Sequence, residues 1–404
     1  MPGPVAPRPL SGTCVIELGE NIGPAFCGRI LADLGAEVIK VERPRQGDPS
    51  RWLGPFLPRL PYGDSSALFI YNNLGKLSIT LDVRRPTGRE LLRRLLASAD
   101  VFICGLTPEE QDALALSPAE LKAINRRLVT ANVTPFGLDG PYRTWSVNPL
   151  VAFHAGGEGI TVASAEQDES WPPLKAYGHV PEYDIGYCAV VAVLAALVAR
   201  EDDGEGDHVE TSYLDVAMAL GRIDIPRYLN EGWVQTRENQ PLRHNLLRCA
   251  DGYVDVTTPD DAGWQGLKEL LGWPEWMDSP RFATRHLREA NRPEWNPHLE
   301  AWTSVSPRQT VREELQRAGV ATDLVNTLED VLASPQYAHR ELWTTLEAEG
   351  PQASLPALPF LADGVRWRAR ALAPRLGEHN EEVFLKRLRL SFRELEVLRA
   401  AGIV

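Results

Sequence analysis

The chain has 404 residues, 44% of them hydrophobic and 24% charged, which is enough for a large core and for division into two domains. Its formal net charge of −13 excludes a broad cationic surface for nucleic acid, though local basic spots can still hold a nucleotide. Five cysteines without a CxxC pair and eight histidines without HxxxH or HExxH spacing indicate neither a disulfide framework nor a metal site.

The chain opens Met-Pro-Gly-Pro, without the charged, apolar and small-residue regions of a leader, and a cytoplasmic protein is expected. Thr13–Leu18 has strand character. Gly23-Pro24 then leads into a helical stretch ending near Gly35, with Pro24 suited to a first helical turn. Glu37–Glu42 restores strand alternation, so the segment reads as a βαβ unit with a right-handed crossover and a parallel sheet. The rhythm recurs through a strand at Leu77–Asp82, a helix at Thr87–Ser98, a strand at Val101–Cys104, a helix at Pro118–Ile124 and a strand at Leu128–Val133. An α/β doubly wound, Rossmann-like domain follows from that alternation. No GxGxxG follows the first strand, which argues against a conventional NAD or FAD enzyme.

A Gly-rich passage at Gly156–Ile160 opens a long loop running to Pro181, and loops of that length in a compact domain are functional or mobile. An apolar helix is expected over Gly186–Arg200, ended by the charged turn Glu201–Asp207. The longest apolar run, Tyr187–Ala199, is too short to span a bilayer and reads as a buried helix. From about Asn230 the texture changes, with a strand at Asp251–Val256 and amphipathic helices at Trp264–Leu271, Pro297–Thr303 and Arg308–Ala318. The expected organisation is a large domain from residues 1–229, a smaller α+β domain from 230–333, and a C-terminal part, 334–404, returning to the large one.

The segment Gly23–Arg43 (GPAFCGRILADLGAEVIKVER), followed by Gly47–Arg51 (GDPSR), resembles the opening of family III CoA-transferases, the relatives of carnitine CoA-transferase, the bile-acid-inducible CoA-transferase and formyl-CoA transferase. Further similarity runs through Asn73–Asp82, Ala99–Val101, Phe136–Pro141, Gly204–Val209, Asp251–Tyr253 and Leu376–His379, covering nearly the whole chain. The resemblance implies a Rossmann-like domain built from both chain ends, a small middle domain, and two identical subunits interlocked as linked rings. It implies acyl-CoA and a carboxylic acid acceptor as partners, coenzyme A as substrate thioester, and no nucleic acid, membrane or metal. The implied reaction is ping-pong: an aspartate attacks the thioester, forms a mixed anhydride, then carries CoA as an aspartyl thioester.

The family's catalytic aspartate lies four residues before a glycine at the head of an apolar helix ending Ala-Ala-Leu. Counting back from Ala195-Ala196-Leu197 places Gly186 on that glycine and Glu182 on the nucleophile. Glutamate supports the same anhydride chemistry, but one more methylene moves the carboxylate by more than about an ångström. Asp184 is the rival if the loop shifts, against its bland reading as the N-cap of the helix; a solvated acid favoured by the helix dipole is the bland reading of Glu182. His179, three residues before Glu182, could tune that carboxylate. Asn21 falls near the family's reactive centre, where an amide could bond an oxyanion, or else it caps the helix before Pro24.

For CoA, the resemblance implies Arg43 near the nucleotide, Lys76 with Asn73 and Leu74 beside the adenine, and Arg51 as a further phosphate partner. Thr107-Pro108-Glu109 replaces the family's common Arg-Pro-Gly, and the glycine-rich loop of formyl-CoA transferase has no counterpart around Arg243–Arg248, so formyl-CoA with oxalate is not the expected pair. His154 reads as structural, with Asn148 closer to the histidine of related racemases. Transfer of CoA between carboxylic acids is the leading expectation. A CoA-ester racemase, isomerase or dehydratase using the carboxylate as base, and a silent acyl-CoA-binding relative, are the alternatives.

Overall fold

The computed structural model describes residues 8–58, 60–161, 172–176, 178–221, 224–234, 246–346, 353–362 and 371–404. The middle of the loop from Gly156 to Pro181 and residues 243–245 of the Arg243–Arg248 segment lie outside the described residues. The chain forms two compact units, one from Met1–Gly159, Lys175–Gly232 and Ala338–Val404, the other from Ile160–Leu174 and Trp233–Tyr337.

The first unit carries a wholly parallel six-stranded sheet of β1 (Cys14–Leu18), β2 (Glu37–Glu42), β3 (Leu77–Thr80), β4 (Val101–Cys104), β5 (Val129–Thr134) and β6 (His208–Ser212), in the order β3-β2-β1-β4-β5-β6. This is the doubly wound order, whose direction of winding reverses between β1 and β4, the place where such sheets open a ligand crevice. Its helices in chain order are α1 (Ile22–Asp33), α2 (Ala67–Asn73), α3 (Pro86–Leu96), α4 (Pro108–Leu114), α5 (Pro118–Ile124), α6 (Pro149–Ala155), α7 (Glu158–Thr161), α8 (Val180–Asp203), α9 (Tyr213–Leu220) and α10 (Asp224–Glu231), with the crossing at Gly159–Ile160 falling within α7. Local sequence explains the starts of α4 and α5. In each, a threonine or serine cap stands before a proline at the first helical position and a glutamate closes a reciprocal capping box, Thr107 with Glu110 and Ser117 with Glu120.

Helices α1 and α8 pack on one sheet face, where Phe26, Ile30, Ile185, Ala189 and Val193 are buried with Val15, Val38 and Val101. The other face is covered by Leu91, Leu92 and Leu95 of α3, by Leu121 of α5, and by Phe384, Leu395 and Leu398 of the C-terminal segment, whose last helix is Phe392–Ala400. The return of the chain end is tied to β3: the Asn380 side chain accepts from the Thr80 backbone N–H at 2.8 Å and donates to Thr80 Oγ1 at 2.8 Å.

Three local expectations are corrected. Helix α8 starts at Val180, six residues before Gly186, because Pro181 needs no partner for an N–H in the first turn and Glu182 suits its positive end. It is 24 residues long, so by length and composition it could cross a bilayer, yet it packs along α1, β5 and β6 as a core helix. Strand β6, which follows the charged turn ending at Asp207, and helix α4, which starts within Thr107-Pro108-Glu109, are not among the expected elements. The strand HVETS is a polar edge strand, half of it exposed, and lacks an apolar alternation to announce it.

The second unit holds a three-stranded antiparallel sheet, Leu246–Cys249, Gly252–Val256 and Thr322–Leu324, covered by helices including Asp261–Leu270, Arg292–Thr303 and Arg308–Arg317. Trp264, Trp295, Leu299 and Leu315 fill its own core.

Candidate active site

A cavity of about 580 Å³ opens at the C-terminal ends of β1, β2, β3 and β4, over the reversal in strand order. Its lining includes Gly19 and Glu20 after β1, Arg43–Asp48 after β2, Asp82–Arg85 after β3, Leu106 and Glu110 after β4, and Ala400–Gly402 from the chain end. The two loops at the reversal touch: a Cβ on Gly19 would stand 2.9 Å from the Gly105 nitrogen. Four arginines, Arg43, Arg45, Arg84 and Arg85, meet in this wall, and of these the sequence analysis singles out Arg43 alone. The signal for the other three is positional, since a basic residue just past a parallel strand belongs to the crevice.

Of the expected CoA residues, Arg43 reaches the cavity. It lines the cavity, 41% exposed, with its Nε 2.7 Å from Glu20 Oε1. Arg51 and Lys76 are placed otherwise. The Arg51 guanidinium, 1% exposed, donates from Nε to Glu42 Oε2 at 2.7 Å and from Nη2 to Glu42 Oε1 at 2.8 Å and the Pro374 carbonyl at 3.0 Å, while stacking on Phe69. The Lys76 ammonium donates to Glu17 Oε2 at 2.7 Å, the Ala25 carbonyl at 2.7 Å and Asn73 Oδ1 at 2.8 Å. Asn73 passes its own amide protons to the Phe69 carbonyl, and Leu74 is fully buried. None of the four lines the cavity, because partners inside the fold take up their polar groups.

Only Glu42 and Asp48 bring this buried charge network to the cavity floor. Lys40 sits between Glu17 Oε1 and Asp48 Oδ2, each 2.8 Å away. Burial alone would lower the Lys40 pKa, but Asp48, Glu17 and Glu42 hold it above its ordinary value. For Lys76 burial wins over Glu17 and lowers the ammonium to about 8. Glycine is required at position 28 because a Cβ there would lie 2.0 Å from Glu17 Oε2.

The β1–α1 loop connects this floor to a second cluster. Glu20 lines the cavity and Asn21 follows it at the N-cap of α1, with φ 77° and ψ −174°, a region that costs a non-glycine residue about 1–3 kcal/mol. Its side chain makes no cap hydrogen bond, so the capping reading of Asn21 does not hold, and it is exposed. Two residues on, Gly23 abuts the first turn of α8: a Cβ there would be 2.9 Å from Ile185 Cγ2 and 3.5 Å from the Glu182 carbonyl oxygen. Gly186 answers it, with the Gly23 carbonyl 3.0 Å from where its own Cβ would stand. The glycine pair brings the positive ends of two helices together.

Glu182 stands in that first turn, 2% exposed. Its Oε1 meets His179 Nδ1 at 2.7 Å, and its buried Oε2 has no hydrogen-bond partner among the described residues. A buried carboxylate oxygen without a partner is uncommon, and such groups cluster at functional sites. Tyr213, which sequence reasoning missed, lies in the same field: burial and then the Glu182 charge push its phenol up. Asp184 lies inside α8 and is no N-cap; it lines a small recess with Ala152, Phe153, Glu158, Pro181 and Tyr213, and burial raises its carboxyl. His154 closes α6, and Asn148 caps that helix by accepting from the Val151 N–H at 2.9 Å. Among the described residues no group of three or more His, Cys, Asp or Glu side chains is placed to hold a metal.

An open parallel sheet with a crevice at its reversal point, and a buried carboxylate between two helix ends, defines a doubly wound α/β protein with a ligand site where such sheets carry one. The particular family follows from comparison: the chain matches the model of CoA-transferase family III over residues 10–380 and belongs to that family. It is 30% identical to succinyl-CoA–D-citramalate CoA-transferase of Chloroflexus aurantiacus, over 98% of both chains. It is also 30% identical to succinate–glutarate CoA-transferase of Agrobacterium fabrum, over 93% of this chain and 94% of that one. Among solved structures, a CAIB/BAIF family protein from Brucella suis superposes with a TM-score of 0.81 at 31% identity, covering 95% of this chain and all of that one. The protein is therefore an enzyme that transfers CoA.

Proposed function

We propose that the protein moves CoA from an acyl-CoA to a free carboxylic acid through the side chain of Glu182. The observation that carries this reading is the bare, buried Oε2 of Glu182 beside the His179-bound Oε1. In the first step Oε2 attacks the thioester carbonyl carbon and the C–S bond breaks, giving a mixed anhydride and CoA thiolate. The thiolate attacks the Glu182 carbonyl, expels the donor as carboxylate and leaves a glutamyl-CoA thioester. The acceptor carboxylate then attacks that thioester, releasing thiolate and forming a second anhydride. Attack of the thiolate on the acceptor's acyl carbon yields the new acyl-CoA and restores Glu182, so no outside co-reactant is needed.

His179 holds one carboxylate oxygen and so presents the other. The positive ends of α1 and α8 favour the carboxylate anion, and the exposed amide of Asn21 is available to an oxyanion. The CoA nucleotide would lie in the crevice, with Arg43, Arg84 and Arg85 toward its phosphates. The buried Arg51, Lys76, Asn73 and Leu74 hold the floor beneath it. Succinyl-CoA, which the names of several relatives carry, is the donor to try first.

The test is trapping. Incubation with succinyl-CoA followed by borohydride or hydroxylamine should modify the peptide carrying Glu182, and Glu182→Gln should abolish it. Modification at Asp184 would transfer the role there, and modification at neither would refute covalent transfer.

A further inference from the structure

Resting on the reading of the crevice as the CoA nucleotide site, the geometry points to Glu110 as a built-in competitor of the substrate's phosphate. Its carboxylate is fixed by the α4 capping box: Thr107 N–H donates to Glu110 Oε2 at 3.3 Å, and the Glu110 N–H donates to Thr107 Oγ1 at 3.3 Å. The other oxygen, Oε1, accepts from Arg84 Nη2 at 3.0 Å and lies 3.8 Å from Arg43 Nη2. One anionic oxygen thus bridges guanidinium groups rising from the ends of β2 and β3, the arrangement a phosphate oxygen takes between two arginines. Glu20 holds Arg43 from its other side at 2.7 Å.

Both arginines are consequently engaged within the wall, and a phosphate must displace a tethered carboxylate to reach them. Glu110 weakens nucleotide binding and speeds release of the product acyl-CoA, which suits an enzyme whose donor and product share the same nucleotide. Because both partners are partly exposed, the competition is worth a few-fold in affinity and is sensitive to salt.

Glu110→Gln tests this cleanly, since glutamine also completes a capping box and only the charge is lost. Titration calorimetry with CoA at low salt should show Kd falling by about three- to tenfold in Glu110→Gln. The gain should shrink when Arg43→Ala or Arg84→Ala is added. An unchanged or higher Kd in Glu110→Gln would overturn the inference, as would an equal gain in the arginine-free backgrounds, which would mean a diffuse charge effect. If Arg43→Ala and Arg84→Ala alone leave CoA binding untouched, the nucleotide reading itself fails, a result distinct from failure of the competitor.

Discussion

The ammonium of Lys76 has three protons and three acceptors within 2.8 Å, with no exposure to the crevice. Replacing it by methionine leaves the Glu17 carboxylate buried with Lys40 as its remaining cation, and breaking a buried pair in this way costs about 3–5 kcal/mol. Lys76→Met is therefore expected to lower unfolding free energy in urea by about that amount; a normal stability with a raised KM for acyl-CoA would return Lys76 to the nucleotide site beside the adenine. His179 touches the carboxylate and not the crevice, so His179→Ala should lower kcat by about tenfold with KM little changed. Steady-state kinetics with succinyl-CoA would separate this from a binding role, in which KM rises instead. The position of Glu182 in the first turn of an apolar helix was legible from motif spacing. The fate of Arg51 was not, because an arginine's exposure depends on Glu42 and Pro374, and the latter lies more than three hundred positions away in sequence.

At the scale of elements, α1 and α8 approach through glycine on both sides. Gly186→Ala adds a methyl where the Gly23 carbonyl and Phe26 Cδ1 stand 3.0 Å away, and such overpacking costs about 1–3 kcal/mol. The helices must separate, moving Glu182, so thermal stability and kcat should fall together. The far end of α1 offers a pH test. Burial raises the Asp33 carboxyl to about 6, against the opposing pull of Arg29 and Arg8. A carboxyl raised on folding contributes stability below the ordinary value of 3.8, and that contribution is lost as pH rises through about 6. Asp33→Asn should flatten this part of the stability profile, a difference of roughly 3 kcal/mol across the window, measurable by denaturant titration at several pH values. Five of the six strands, with helices α1, α3 and α5 between them, could be read from apolar alternation and its punctuation. Strand β6 could not, because it is set by pairing with β5 as a polar edge.

On the whole molecule, a formal net charge of −13 opposes an anionic substrate, while four arginines gathered in one crevice attract it. The same wall carries the carboxylates of Glu20, Glu42, Asp48, Asp82 and Glu110, so the arginines act on a phosphate by direct pairing at short range, which salt screens. KM for acyl-CoA is then expected to rise with ionic strength; a KM that falls would show that the overall charge governs encounter. By itself the sequence determined the alternation of strands and helices, hence the parallel sheet, and through its glycine and acidic motifs the family. Those signals are local, written in spacing that any folded neighbour would respect. Only the tertiary structure decided which basic residues face the crevice and which are sealed beneath it, and which oxygen of Glu182 is left bare. Burial and pairing depend on side chains brought together from β1, β2, α2 and the returning chain end, and no spacing along the chain encodes that meeting.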